Sequence, residues 1–175
     1  MERSLTNTLV FLSVAVTIAT QFNPELLSFA ANAGKFYGYS IGQIASELLF
    51  YQFLHGGFFH LLSNAFFLVY FGPGLERLMG TKKYLLFFLG NTVFVYGGLY
   101  VFTRYPTIGI SGFCMAILAY TACLLVEKRS PEARGAFFML GLNILIGITG
   151  PVSLVGHTMG GLFGAIVYGI TRKLR

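Results

Sequence analysis

Arg104-Tyr105-Pro106-Thr107-Ile108-Gly109-Ile110-Ser111-Gly112 marks the place where one long apolar run stops and another starts. A serine flanked by glycines at the mouth of a membrane helix can bring its hydroxyl against other backbones with little hindrance. Gly109-Ile110-Ser111-Gly112 by itself also fits plain helix contact, because small residues serve packing in membrane helices. Its meaning depends on what the rest of the chain brings to the same depth.

Around that stretch the chain is built for lipid. Hydrophobic residues make up 55% and charged residues 10%, which lies outside the soluble average. The net charge of +6 is accounted for by basic residues at loop edges. No basic-aromatic cluster suited to a phosphate backbone occurs, so nucleic acid is excluded as a partner. All the acids are glutamates: Glu2, Glu25, Glu47, Glu76, Glu127 and Glu132. A serine mechanism here would therefore lack an aspartate behind its histidine. Cys114 and Cys123 share one apolar segment and give no disulfide framework. The first apolar run is read as a span rather than a cleaved leader, since the whole chain is polytopic. Residues 1–175 are expected to form a single membrane domain.

Six spans are expected, over about Leu5–Phe22, Gly57–Met79, Tyr84–Phe102, Ser111–Val126, Ala136–Ile148 and Leu154–Ile170. Gly72-Pro73-Gly74 should kink or end the straight part of the second, leaving Glu76-Arg77 at the interface. Residues 23–55 are too interrupted for a span and too apolar for a solvated linker, which predicts a partly embedded loop with short helices. The fourth span is short and should be surrounded by protein. With the N-terminus inside, cytoplasmic segments hold Arg3, Arg77, Lys82, Lys83, Lys128, Arg129, Arg134, Arg172, Lys173 and Arg175, and the outer side holds only Lys35 and Arg104. That asymmetry satisfies the positive-inside rule. Both termini are then cytoplasmic, and His60, Asn64, Ser111 and His157 all fall near the outer ends of the second, fourth and sixth spans.

Polar groups at matching depth inside a bundle are commonly paired or functional. His60 and Asn64, four residues apart, share a helix face; they can donate to a negative oxygen or knit the second and third spans together. His157 precedes Gly160 and Gly164, whose spacing makes a smooth face for close approach to the fourth span; it can serve packing or act as a base. Ser111, His157 and the donors together supply the parts of acyl transfer, a hydroxyl, a base and an oxyanion site.

His55-Gly56-Gly57-Phe58-Phe59-His60-Leu61-Leu62-Ser63-Asn64, Gly72 to Gly80 with Glu76-Arg77, Gly109-Ile110-Ser111-Gly112, and Gly156-His157-Thr158-Met159-Gly160-Gly161-Leu162-Phe163-Gly164 closely resemble the motifs of rhomboid intramembrane serine proteases. The resemblance covers nearly the whole chain. It implies an all-α six-transmembrane-helix bundle of the minimal bacterial-type form, with a membrane-embedded first loop. It further implies Ser111 as nucleophile, His157 as general base and acid, and His60, Asn64 and the Ser111 N–H as oxyanion hole. Gly109, Gly112, Gly160 and Gly164 take structural places near the site, and His55 a structural place outside the dyad. The 149–155 loop and the fifth span would help admit substrate. The implied substrates are transmembrane proteins, cut near the outer side of the membrane. The implied location is the plasma (inner) membrane, among its lipids. The Trp-Arg pair common in the family's first loop is absent, and Glu47-Leu48-Leu49 stands in that neighbourhood, which leaves the anchoring of the loop open.

Two other readings stay open at this level: a catalytically silent rhomboid-like binding protein and, more remotely, a transporter. His55 and His60 lack the His-Glu-x-x-His spacing of a zinc site; no metal and no cofactor is implied. Small-residue seams pack equally within or between subunits, so the oligomeric state is open.

Overall fold

The computed structural model describes residues 4–149 and 153–173; Glu2, Arg3, Arg175 and residues 150–152 of the 149–155 loop, all named above, lie outside them. The described chain is an all-helical membrane bundle. Its helices are α1 (Leu5–Phe22), α2 (Gly34–Tyr37), α3 (Ile41–Phe50), α4 (Phe58–Met79), α5 (Thr81–Phe102), α6 (Ser111–Glu127), α7 (Ala133–Thr149) and α8 (Leu154–Lys173). By length and composition α1, α4, α5 and α8 are able to cross a membrane, while α6 and α7 are apolar but shorter.

The buried residues of α1, Thr6, Leu9, Ser13, Thr17 and Thr20, recur at three- and four-residue steps and form one stripe. The first turn of α1 is held by Glu76. This carboxylate accepts from the N–H groups of Leu5 (2.7 Å) and Thr6 (3.0 Å) and from the hydroxyls of Ser4 (2.7 Å) and Thr6 (2.8 Å). Helix N-terminal N–H groups lack intrahelical acceptors and favour negative charge, so Glu76 satisfies them and ties α4 to α1. Glu76 is thus buried against α1, whereas Arg77 is exposed.

The break expected at Gly72-Pro73-Gly74 does not end the helix, because α4 runs through Pro73 to Met79. A Cβ on Gly72 would stand 2.6 Å from Thr6 Cγ2. Here α1 packs directly against the segment that proline weakens, and tertiary contact outweighs local propensity.

Residues 23–55 fold into short pieces, as expected. Asn23 caps a 3₁₀ turn over Pro24–Phe29, and the Ser40 hydroxyl accepts the Gln43 N–H at the start of α3. Glu47 anchors the loop in place of an aromatic-arginine pair. It is fully buried and accepts from the N–H groups of Asn32 (2.9 Å) and Gly34 (2.6 Å), from Gln43 Nε2 (3.0 Å) and from the Tyr96 hydroxyl (2.7 Å). Asn32 Nδ2 donates to Leu99 O at 2.7 Å and the Tyr51 hydroxyl to Thr92 O at 2.9 Å. Lys35 Nζ donates to the carbonyls of Tyr100 (2.7 Å) and Thr103 (2.6 Å) at the C-terminus of α5, where a cation suits the helix dipole.

Helix α6 is buried on nearly all sides, including Gly112 to Tyr120 without interruption. A helix of about 25 Å, at ~1.5 Å per residue, need not match the ~30 Å hydrocarbon thickness when protein surrounds it. Its closest partner is α8. A Cβ on Gly160 would lie 2.0 Å from Gly112 O, and one on Gly164 2.1 Å from Ala116 O. The two backbones are therefore in direct contact, in parallel register, through the glycines whose spacing predicted it. These registers gather Arg77, Lys82, Lys83, Lys128, Arg129, Arg134, Arg172 and Lys173 at one end of the bundle, with Lys35 and Arg104 at the other.

Candidate active site

Ser111 is the first residue of α6, so its N–H and that of Gly112 are free of intrahelical bonding. The segment leading to it is stitched to the first loop. Ala31 and Thr107 exchange two main-chain bonds at 2.9 Å, and Gly109 N–H donates to Tyr51 O at 2.9 Å. Gly109 has φ +113, a conformation that L side chains rarely adopt. Space is a second constraint, since a Cβ there would stand 2.8 Å from His60 Cε1, 2.9 Å from His60 Nε2 and 3.8 Å from Asn64 Nδ2. His60 and Asn64 thus project from α4 toward the turn preceding Ser111, on the α6 side rather than between the second and third spans.

The two donors are held differently. Gly56 N–H donates to His60 Nδ1 at 3.4 Å, which leaves the proton of the neutral ring on Nε2, the atom beside Gly109. Asn64 Oδ1 accepts from the Cys114 thiol at 3.8 Å, and Asn64 Nδ2 is buried with no partner. An unpaired buried amide N–H is costly and unusual. Cys114 thus supports Asn64, a contact that the apolar segment it shares with Cys123 does not announce. Its position three residues after Ser111, on the same helix face, is the signal that could have found it.

His157 enters from α8. Ser153 caps that helix, its hydroxyl accepting the Gly156 N–H at 3.0 Å and its carbonyl the His157 N–H at 3.0 Å. The His157 ring is buried. Its Nδ1 lies 2.8 Å from the main-chain oxygen of Asn143 on α7, and its Nε2 has no partner. Gly112, next to Ser111, is near enough to α8 that a Cβ would stand 3.3 Å from Gly156 O. His60 and His157 are within electrostatic reach of each other. Ser111, His157, His60 and Asn64 therefore collect at one end of α6.

His55 sits just outside this group. Its Nδ1 lies 3.1 Å from Phe53 O and 3.2 Å from Thr17 Oγ1, and its ring meets that of His60 edge to face at 5.0 Å. Burial, with repulsion from His60, pushes its pKa down to about 4 against the weaker pull of the Phe53 carbonyl. It is a neutral brace on His60. Two cavities of about 380 Å³ are elsewhere. One is lined by Met79, Lys83, Tyr120 and Thr171, the other by Cys123, Glu127 and Arg172, both toward the opposite end of α6.

A family model described as the rhomboid domain matches residues 42–174. The chain belongs to the rhomboid family. Among proteins similar to this rhomboid, the putative rhomboid protease YdcA of Bacillus subtilis is 36% identical over 133 residues, covering 70% of this chain and 67% of that protein. Rhomboid-type serine protease 2 of Emericella nidulans is 30% identical over 136 residues, 71% of this chain and 27% of its own length. Rhomboid protease GluP of Bacillus subtilis is 30% identical over 128 residues, 68% and 25% respectively. The chain thus spans only about a quarter of the latter two relatives.

Proposed function

We propose that this rhomboid is an intramembrane serine endopeptidase working through a Ser111–His157 dyad. His157 Nε2 takes the Ser111 Oγ proton as the oxygen bonds to the scissile carbonyl carbon. Asn64 Nδ2, His60 Nε2 and the Ser111 N–H receive the negative oxygen. When the C–N bond breaks, Nε2 returns the proton to the leaving amine. Water then adds to the acyl carbon, giving a proton to Nε2; the C–Oγ bond breaks, Nε2 returns that proton to Ser111 Oγ, and the carboxylic acid product leaves. The steps use the chain's own side chains, one main-chain N–H and a water molecule, without cofactor.

The observation that carries this reading is the pair of buried, unpartnered polar atoms, His157 Nε2 and Asn64 Nδ2, on the two helices flanking the glycine-framed serine. Groups left unpaired at a structural cost are suited to partners that arrive with substrate. The retained donors also weigh against a silent binding role.

In this reading α1, α4, α5, α6, α7 and α8 cross the plasma (inner) membrane as one domain. The basic end is cytoplasmic, the termini are inside, the site lies in the outer half, and the first loop is embedded beside it. The substrate is a transmembrane protein whose helix unwinds locally, since a helical peptide carbonyl is hidden by its own hydrogen bond. A panel of labelled single-span substrates, with S111A as control and cut termini mapped by mass, tests the proposal. Cuts near the outer membrane surface that vanish in S111A are expected. Wild-type cutting by S111A, or cuts confined to soluble segments, would overturn it.

A further inference from the structure

The two ring nitrogens of His157 have different surroundings, and the difference fixes where its proton is. Nδ1 lies 2.8 Å from the Asn143 main-chain oxygen. A carbonyl oxygen only accepts, so the contact requires a proton on Nδ1, and a neutral imidazole then keeps a lone pair on Nε2. Nε2 is the buried nitrogen with no partner. This is the tautomer that a base acting on a serine hydroxyl needs, the one an aspartate imposes in a three-residue site.

Among the described residues no acid is available to do this. Glu76 is committed to α1 and Glu47 to the first loop, Glu127 bonds Tyr168 and Arg172 at the other end of the bundle, and Glu25 and Glu132 are exposed. The Asn143 side chain is not the partner either, because its Nδ2 turns back to Met139 O at 2.8 Å. What brings the carbonyl within reach is Gly147, one turn later. A Cβ there would stand 2.6 Å from Leu154 Cα and 2.8 Å from Leu154 N, so α7 and α8 meet backbone to backbone beside His157.

We infer that Asn143 is the positioning residue of this rhomboid, its main-chain carbonyl holding His157 in the working tautomer, and that this hold depends on α7 being seated on α8. The inference rests on the Ser111–His157 reading. It makes readiness of the base a property of α7, which buries only Ala133 among its described side chains. Motion of α7 away from α8 removes the acceptor and frees the ring to carry its proton on Nε2, where it cannot take one from Ser111.

The test uses full-length protein in phosphatidylglycerol–phosphatidylcholine vesicles, with ring-15N histidine and carbonyl-13C asparagine, at mildly alkaline pH. Solid-state NMR is expected to show His157 protonated at Nδ1 and bare at Nε2. Its Nδ1 signal should be dephased by a 13C carbonyl in wild type but not in N143Q, where the carbonyl at that position is unlabelled. A His157 protonated on Nε2, a mixture of tautomers, or an undephased Nδ1 overturns the inference. Gly147→Ala, which forces α7 off α8, should mix the tautomers and lower kcat by about 10²-fold with a smaller change in KM, the size expected of a ~1 Å misplacement. A folded G147A with the wild-type tautomer and kcat overturns the dependence on α7. Labelling of wild-type Ser111 by a fluorophosphonate separates the two levels: labelling with the wrong tautomer sinks only this inference, whereas no labelling sinks the dyad itself.

Discussion

Gly160→Ala is the smallest change that should disable the bundle's central seam. The added Cβ would stand 2.0 Å from Gly112 O, 2.7 Å from Gly112 C and 2.9 Å from Gly112 Cα. Those are backbone atoms, so no side chain can swing aside. Restoring ordinary contact at 3.4 Å requires α8 to retreat from α6 by about 1.4 Å. Overpacking of this kind costs about 1–3 kcal/mol. The same displacement carries His157 away from Ser111, and a ~1 Å misplacement of reacting groups costs on the order of 10²-fold in rate. Gly164→Ala, at 2.1 Å from Ala116 O, should behave alike, while Gly169→Ala meets nothing within 4 Å and should gain up to ~1 kcal/mol from helix propensity. Thermal unfolding in micelles and cleavage of a single-span substrate measure both effects. A G160A protein that melts and cuts like wild type would refute the backbone contact.

Removing the Glu47 carboxylate strands four buried or half-buried donors, so Glu47→Ala should destabilise by about 3 kcal/mol or more and expose the first loop to protease; an unchanged digestion pattern would contradict this. Asn64→Ala should lower kcat by on the order of 10²–10³ with intact folding, as for loss of an oxyanion donor, measured against the same substrate. Stability should fall with pH below the ordinary histidine range. The unfolded chain protonates His55 near its usual value of 6.5, and the folded chain only at about 4, so the unfolded state binds more protons across that window. The His55 contribution is complete above 6.5 and is lost progressively down to about 4, and His55→Gln should flatten that part of a denaturation profile.

The parts of this architecture legible in the sequence were those written in short periodicities. Gly160 and Gly164 announce a close helix face, and the i,i+4 pair His60 and Asn64 a shared one. Loop charges sort into two ends of the bundle because helices alternate in direction. What escaped depended on distant partners. Glu76 follows a proline and precedes an arginine, which reads as a helix end at an interface, yet its donors are Ser4, Leu5 and Thr6, about seventy residues earlier. The same α1 contact carries α4 through Pro73. Glu47 stood where an anchor was missing, and only the folded loop brings Asn32, Gly34 and Tyr96 to it. The Asn143 carbonyl had no legible signal, since every residue carries one and only helix placement selects it.

The proposed dyad requires that His157 make Ser111 nucleophilic. Reaction of the vesicle-reconstituted protein with a fluorophosphonate, followed by peptide mass mapping, tests it most directly. A phosphonyl group on Ser111, lost in H157A, is predicted. An adduct on another residue, or undiminished labelling of Ser111 in H157A, would contradict it.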